Sequence, residues 1–416
     1  MKENIISQEN NHPANSFNNI LEETLREGAR RLLQQAIECE VDEYIKMFDS
    51  PRGDDHKRSI VRNGYLPGRV LQTGIGPIEV RQARVRDKTG NSKFTSAILP
   101  KYIRKTPSIE TVIPALYLKG ISTSDFSEAL EALLGSNAKG LSPSVICRLK
   151  ETWKEEFKIW NARELSGKHY VYIWADGIYF NVRLNDDRPC VLVLIGALPS
   201  GKKEVIAIQD GQRESALSWR ELLLSLSRRG LEMAPSLAVG DGALGFWKAL
   251  EEVYPSTKQQ RCWVHKTANI LDKMPKSVQK GAKMMIHEMY LSPTKQAGLR
   301  VFEDFISLYE AKYPRACECL KKDKKELFTF YDFPAIHWQH IRTTNPIESS
   351  FATVRHRTRQ TKGCGSREAT LSLVFKLAMG AEKNWQKLRG SILIEKVIQG
   401  VKFVDGEEKQ GQEIVA

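Results

Sequence analysis

Tyr170-Val171-Tyr172-Ile173-Trp174-Ala175-Asp176-Gly177 is the stretch on which the reading of this chain turns. Its first five residues are β-branched or aromatic, the side chains that fit a pleated, half-buried surface, and the run ends on an acid. Outward from it the same period continues. Gly177 to Leu184 and Cys190 to Leu198 read as two further strands, and Val205 to Ile208 extends the last hairpin. A helix then runs from about Ser215 to Arg229 and is stopped by Gly230. A short strand at Leu237 to Val239, a helix from Leu244 to Val253 and a strand from Gln260 to Val264 complete the pattern. A meander followed by alternating helix and strand predicts an α/β layer built on a mixed sheet. Residues 267–332 read as mostly helical, 346–399 as a final helical block, and the polar tail from Asp405 as frayed.

The N-terminal third has a different character. Ile20, Leu21, Leu25, Leu32, Leu33, Ile37, Val41 and Ile45 recur at helical spacing, which predicts one amphipathic helix over 17–48. Between Pro51 and Thr106, glycines and prolines punctuate alternating runs such as Ile78-Glu79-Val80-Arg81, a pattern of hairpins or extended arms. This segment holds 13 Lys and Arg against 4 Asp and Glu, a local excess of nine. Arg81, Arg84 and Arg86 are its candidate contacts to a DNA backbone. Three helical pieces follow over 108–160: Ile109 to Leu118, a second capped by Ser122 to Ser124, and a third opened by Ser142-Pro143. Helix, short turn, helix is the pattern of a helix-turn-helix reader, although ordinary bundles share it.

Composition narrows the function. With 41% hydrophobic residues a packed core is within reach and wholesale disorder is excluded. Lys and Arg outnumber Asp and Glu by 63 to 50, and the resulting +13 favours polyanionic partners, nucleic acid above all. The longest apolar run, Cys190 to Pro199, is too short to span a bilayer, and the start, Met1 to Pro13, is polar. Seven scattered cysteines do not form a disulfide framework. These features together predict a cytoplasmic, nucleoid-associated protein.

Three acids carry the candidate chemistry. Asp176 ends one apolar strand and Asp241 ends another, and acids at strand carboxyl ends are placed to hold a metal in an open cleft. Gly177 and Gly242 follow them and leave room for a backbone or phosphate to approach, although Asp-Gly is also a common turn dipeptide. Glu348 lies in Thr343-Thr344-Asn345-Pro346-Ile347-Glu348, where Asn345 as N-cap, Pro346 at N1 and Glu348 at N3 make a capping box. Beyond that box, Arg355, Arg359 and Lys362 fall within about 40° of Glu348 on a helical wheel, while Ile347, Phe351 and Val354 form a separate apolar stripe. A carboxylate heading a cationic ribbon suits a metal ligand beside a phosphodiester. Two Mg²⁺ (or Mn²⁺) ions on such acids would stabilise both oxygens of an in-line displacement.

With those motifs in place, the chain resembles the mutator-type bacterial insertion-sequence transposases. The residues that carry the resemblance are Ala175-Asp176-Gly177, Gly240-Asp241-Gly242, Gln260-Arg261-Cys262-Trp263-Val264-His265 and Thr343 to Glu348. Tyr117-Leu118-Lys119-Gly120-Ile121-Ser122-Thr123 upstream and Asn384-Trp385 downstream add to it, so that it spans about residues 60 to 390. The resemblance implies an Asp, Asp, Glu triad on a ribonuclease H-like sheet, with Asp176 and Asp241 on neighbouring central strands and an α-helical insertion before the glutamate's helix. It implies double-stranded DNA as partner (terminal inverted repeats and target), a homo-oligomer on that DNA, and a copy-out route through a circular intermediate. The domain plan that follows is a helical segment 1–50, a basic arm 51–106 and a helix-turn-helix-like region 107–165. The catalytic core then occupies 166–266 and 336–400, split by the insertion 267–335, with a flexible tail 401–416.

Cys262-x-x-His265 has the spacing of half a zinc site, and Cys317-x-Cys319 offers a second half, but the one-residue gap there is unusual for zinc. The expectation is a buried thiol and a positional histidine near the acids, without zinc. His337, Trp338 and His340 are expected to pack in the core rather than stack on a base. Two rival functions share the fold: a decayed transposase kept as a DNA-binding repressor, and a ribonuclease H-like nuclease acting on junctions or RNA.

Overall fold

The structure is a computed structural model. It describes residues 13–48, 59–90, 92–119, 121, 143–179, 190–211, 215–348, 351–352 and 366–409. The chain divides into two compact units, residues 1–146 and 147–416.

In the first unit, α1 (Pro13–Met47) is one continuous helix. Four short strands follow: β1 (Ile60–Tyr65), β2 (Arg69–Thr73), β3 (Gly76–Val80) and β4 (Ala83–Asp87). β2 pairs antiparallel with β3 as a hairpin, and β1 pairs antiparallel with β4. Alternation works as read: Ile78 and Val80 are buried against Ile37 and Leu99, while Glu79 faces out. The amphipathic reading of α1 holds only for its C-terminal half. Ile37, Val41 and Ile45 are buried, but Ile20, Leu21, Leu25 and Leu32 are between 52% and 70% exposed. The described apolar clusters on the helix begin at Ala29 and include none of these four residues. α2 (Pro107–Lys119) is the first of the three expected helices. The second lies outside the described residues, and the third is α3 (Pro143–Asn161), which opens on Pro143 and from Cys147 onward belongs to the second unit.

The second unit is a three-layer α/β body. Its sheet contains β5 (Tyr172–Tyr179), β6 (Cys190–Ala197), β7 (Lys203–Gly211), β8 (Leu237–Gly240) and β9 (Lys258–Arg261), in the order β7-β6-β5-β8-β9. The first three form an antiparallel meander, and β8 and β9 are parallel to β5. β6 is buried at all eight positions, the signature of a central strand covered on both faces. On one face α4 (Ala216–Arg228) and α5 (Leu244–Val253) bury Trp219, Leu222, Leu226, Phe246 and Leu250 against Ile173, Ala175 and Leu192. The opposite face carries Tyr172, Trp174, Val191, Val193 and Val239. It is covered by α6 (Trp263–Leu271), α7 (Lys276–Leu291), α8 (Lys295–Tyr309), α9 (Pro314–Lys322), α10 (Arg367–Glu382) and α11 (Ser391–Ile398). Each large apolar side chain buried there contributes about 1.5–3 kcal/mol, so the two-sided core is the main source of stability.

Three details depart from the reading of the sequence. β5 does not stop at Asp176 but runs to Tyr179, with Asp176 opposite Val193 and Gly177 opposite Leu192. Asp-Gly is therefore strand here, not turn. Gln260 to Val264 is not a strand throughout: β9 ends at Arg261, Cys262 is the N-cap, and Trp263 begins α6. The aromatic and β-branched Trp263-Val264 mimics a strand, yet Trp263 opens the helix, fully buried, with its indole donating to the carbonyl of Leu327. Finally, residues 403–408, in the stretch expected as a tail, close a small hairpin whose turn bonds to Tyr331, Ala335 and Lys295.

His337 packs in the core as expected, Trp338 is half-buried against it, and His340 is half-buried. The His337 ring is fully buried between the Tyr172 hydroxyl (2.8 Å) and the Gly390 carbonyl (3.0 Å). The Trp338 indole donates to the Phe333 carbonyl, and the His340 carbonyl accepts from the Trp174 indole. No helix among the described residues is long and apolar enough to cross a membrane.

The helical layer tolerates little added volume where α7 meets α8. A Cβ on Gly298 would stand 2.5 Å from the Met289 carbonyl oxygen and 3.0 Å from the Phe328 ring. Gly298→Ala is expected to lose about 1–3 kcal/mol of stability by overpacking, measured by urea unfolding; an unchanged midpoint would contradict this packing.

Candidate active site

The parallel register brings the first two acids together. Tyr172 lies opposite Leu237 and Ala175 opposite Gly240, so the next residues on the two strands are Asp176 and Asp241. Neighbouring strands lie about 4.8 Å apart, and the acids therefore stand side by side at the carboxyl end of the parallel ladder. Their side follows from the two-residue period. Asp176 shares its face with Trp174 and Ile178, and Asp241 continues the face of Leu237 and Val239, all of them in the core beneath the helical layer. Asp176 is 7% exposed and Asp241 half-buried. Asp241 accepts the Ala243 amide at 2.9 Å, which orients its carboxylate at the start of α5.

The third strand supplies the neighbouring wall. Gly240 pairs with Arg261, and the Cys262 amide donates to the Gly240 carbonyl at 2.8 Å, which sets Cys262 beside Asp241 at the same edge. As N-cap of α6, Cys262 lies one helical turn from His265. The segment carrying Glu348 is sewn onto this edge from the other side. The Trp263 amide donates to the Arg342 carbonyl at 3.0 Å, and the Thr344 amide donates to Cys262 Sγ at 3.2 Å. Residues 345–348 are helical and Ile347 and Phe351 are fully buried, so these two members of the expected apolar stripe anchor Glu348, while Val354 lies outside the described residues. The helix begins one residue earlier than the capping box predicts. The Thr344 carbonyl accepts from the Glu348 amide, so Thr344 is the N-cap and Pro346 stands at N2.

Glu348 Oε1 lies 2.9 Å from Thr344 Oγ1 and 3.6 Å from His265 Nδ1. The hydrogen bond to Cys262 is the largest influence on His265 and, with the charges of Cys262, Asp176 and Glu348, raises its pKa well above the ordinary imidazole value despite burial. Burial pushes the Cys262 thiol up, but the hydrogen bonds and charge of His265 bring it below the ordinary thiol value. Both Asp176 and Glu348 thus act on one imidazole, and the three acids share one edge of the sheet.

The donor chemistry sorts into two sets. Asp176, Asp241 and Glu348 offer hard carboxylate oxygens suited to Mg²⁺ or Mn²⁺. Cys262, His265 and Glu348 bring ligand atoms within 4.8 Å of one another, and they are the group of three such side chains found among the described residues. Cys317 and Cys319 do not join them. Cys317 is buried in α9, packed in the core beneath the helical layer.

One glycine plays a different part from the one expected. Gly242 has φ +88°, and a Cβ on it would stand 2.3 Å from the Arg261 guanidinium carbon. The space beside Asp241 is therefore filled from within the chain, not left open for a phosphate. Arg261 and Lys266 are both buried, and both donate to Asp323 Oδ2, at 3.1 and 2.7 Å. Nothing in the sequence pairs residue 323 with 261; the contact forms only when α9 docks on α6.

Of the candidate DNA contacts, Arg81, Arg84 and Arg86 are exposed in the first unit, with Arg84 and Arg86 alternating outward on β4. Arg355, Arg359 and Lys362 lie outside the described residues.

Fold and site define a mixed α/β protein whose sheet carries Asp176 and Asp241 side by side on neighbouring strands. Comparison with known proteins then places it: the family described as "Transposase, Mutator family" matches residues 2–388, and the chain belongs to that family. The match reaches back to residue 2, ahead of the stretch from about 60 that carries the motifs. The transposase for insertion sequence element IST2 of Acidithiobacillus ferrooxidans is 50% identical over 286 residues, 67% of this chain and 94% of that one. The transposase for IS6120 of Mycolicibacterium smegmatis is 48% identical over 295 residues, covering 71% and 91%. A more distant relative, the transposase for ISRM5 of Rhizobium meliloti, is 27% identical over 365 residues, 87% of this chain and 89% of its own.

The shared carboxylate beneath Gly242 makes a direct test of this wall. Asp323→Asn leaves two buried cations facing one neutral amide, and is expected to cost about 3 kcal/mol, measured by urea unfolding. A loss below about 1 kcal/mol, the range of exposed pairs, would contradict the pairing.

Proposed function

We propose that this chain is an insertion-sequence transposase that binds the terminal inverted repeats of its element and cuts and joins DNA strands at Asp176, Asp241 and Glu348. One observation carries the reading: the β5–β8 register puts two acids on neighbouring strands, and Thr344 and Cys262 dock the glutamate's helix against the same edge. Acids on neighbouring strands are also what a ribonuclease H-like core requires, with 267–335 as the helical insertion before the glutamate.

The cofactor in this reading is a pair of Mg²⁺ or Mn²⁺ ions held by the three carboxylates. When bound, such ions stabilise charge on both the attacking and the leaving oxygen of an in-line displacement. The chain's own contribution is placement. Asp176 is fixed by strand pairing to β6, Asp241 by its bond to the Ala243 amide, and Glu348 by the buried anchors Ile347 and Phe351. No serine or tyrosine nucleophile enters, because hydrolysis at the transposon end frees a 3′-hydroxyl that then attacks target DNA. The exposed arginines of the first unit, Arg81, Arg84 and Arg86, supply backbone contacts to the ends, and pairing two ends calls for a homo-oligomer on DNA.

The test uses the full chain with a duplex bearing the element's terminal repeats. Asp176→Asn, Asp241→Asn and Glu348→Gln are each expected to keep end binding while strand cleavage falls by more than the roughly hundredfold that an outer-shell change can cause. Cleavage at the wild-type rate in any of the three would remove that acid from the site. Wild-type protein that binds ends and cuts nothing would support the repressor reading instead.

A further inference from the structure

Thr344 is fully buried at the N-cap of the glutamate's helix, and its hydroxyl is not used as a cap. An N-cap hydroxyl ordinarily accepts from the amide at N2 or N3. Here N2 is Pro346, which has no N–H, and the N3 amide of Ile347 donates to the Thr344 carbonyl at 2.9 Å. The hydroxyl turns elsewhere. Its oxygen lies 2.9 Å from Glu348 Oε1, 3.2 Å from Cys262 Sγ and 3.3 Å from His265 Nδ1. It has one hydrogen to give, and an ionised carboxylate can only accept. A hydrogen directed at sulfur or nitrogen would leave oxygen facing oxygen at 2.9 Å, so the hydrogen belongs to Glu348. Cys262 Sγ already receives the Thr344 amide, and His265 faces the hydroxyl's remaining lone pair.

We propose that Thr344 is a positioning residue: with Cys262 Sγ holding its backbone amide and His265 at its oxygen, it donates its hydroxyl hydrogen to Glu348 and fixes that carboxylate toward Asp176 and Asp241. This inference rests on the reading of Glu348 as a metal ligand. Hydrogen-bond partners of a ligating carboxylate typically govern about 10–100-fold of metal affinity. Thr344→Val removes the hydroxyl and keeps the branched shape, whereas Thr344→Ser keeps the hydroxyl.

The experiment titrates Mn²⁺ into the full-length protein and reads free Mn²⁺ by electron paramagnetic resonance, beside circular dichroism of the metal-free chains. Thr344→Val is expected to bind Mn²⁺ about tenfold or more weakly, with Thr344→Ser within about twofold of wild type and Asp176→Asn weakened as well. If Thr344→Val does not fold, Thr344→Ala carries the same expectation. Wild-type affinity in Thr344→Val with weakened binding in Asp176→Asn would overturn the positioning role and leave the acid site standing. Equal losses in the serine and valine variants would overturn it too, since the hydroxyl would then not be the cause. Wild-type affinity in Asp176→Asn would remove the metal site itself, and the inference with it. Wild-type protein purified with one zinc per chain, released on Cys262→Ala, would show that the cluster ligates metal instead of orienting Glu348.

Discussion

Parallel pairing of β5 with β8 is the constraint on which the site depends. Four residue pairs, Tyr172 with Leu237 through Ala175 with Gly240, set the register. A slip of one residue would turn either acid to the opposite face. That slip is blocked by packing: Trp174 and Val239 belong to the core under the helical layer, and Ile173 and Ala238 to the core under α4 and α5. A sheet buried on both faces thus locks the relative height of Asp176 and Asp241 more firmly than any local hydrogen bond could.

The glutamate reaches the same edge by a longer route. It belongs to a segment far along the chain, and its helix is anchored by buried Ile347 and Phe351. The contacts that set its depth are polar, from Trp263 to Arg342 and from Thr344 to Cys262. Cys262 therefore links strand register to the glutamate's helix: its amide continues the β8 ladder while its sulfur receives Thr344. Beneath it, Arg261 and Lys266 converge on Asp323, and Arg261 fills the space a side chain at 242 would need. Strand ends, helix start and helical layer meet within a few residues.

Much of this was legible from local pattern. Strong periodicity found the meander, α5 at its observed bounds, and Asp241 just past the end of β8, because those features depend on neighbours in sequence. Errors arose where a distant contact decides. Trp263-Val264 has strand composition but becomes a helix because Leu327 and Arg342 receive its donors. Leu21, Leu25 and Leu32 keep helical spacing yet stay exposed. Asn345 looked like the cap because Asn-Pro is a common opening, yet the carbonyl of Thr344 takes the first helical bond. The signal for Thr344 was present in retrospect: proline at N2 removes the amide its hydroxyl would have capped. Where that hydroxyl goes instead depends on residues 262 and 265, which no local rule connects to it.

The central claim is that three carboxylates from distant parts of the chain hold divalent ions together at one sheet edge. Anomalous diffraction at the manganese edge, from crystals of the protein grown with Mn²⁺ and terminal-repeat DNA, addresses it most directly. The account predicts manganese signal bounded by Asp176, Asp241 and Glu348, with none centred between Cys262 and His265. Signal confined to the thiol and imidazole, with the two aspartates unligated, would contradict it.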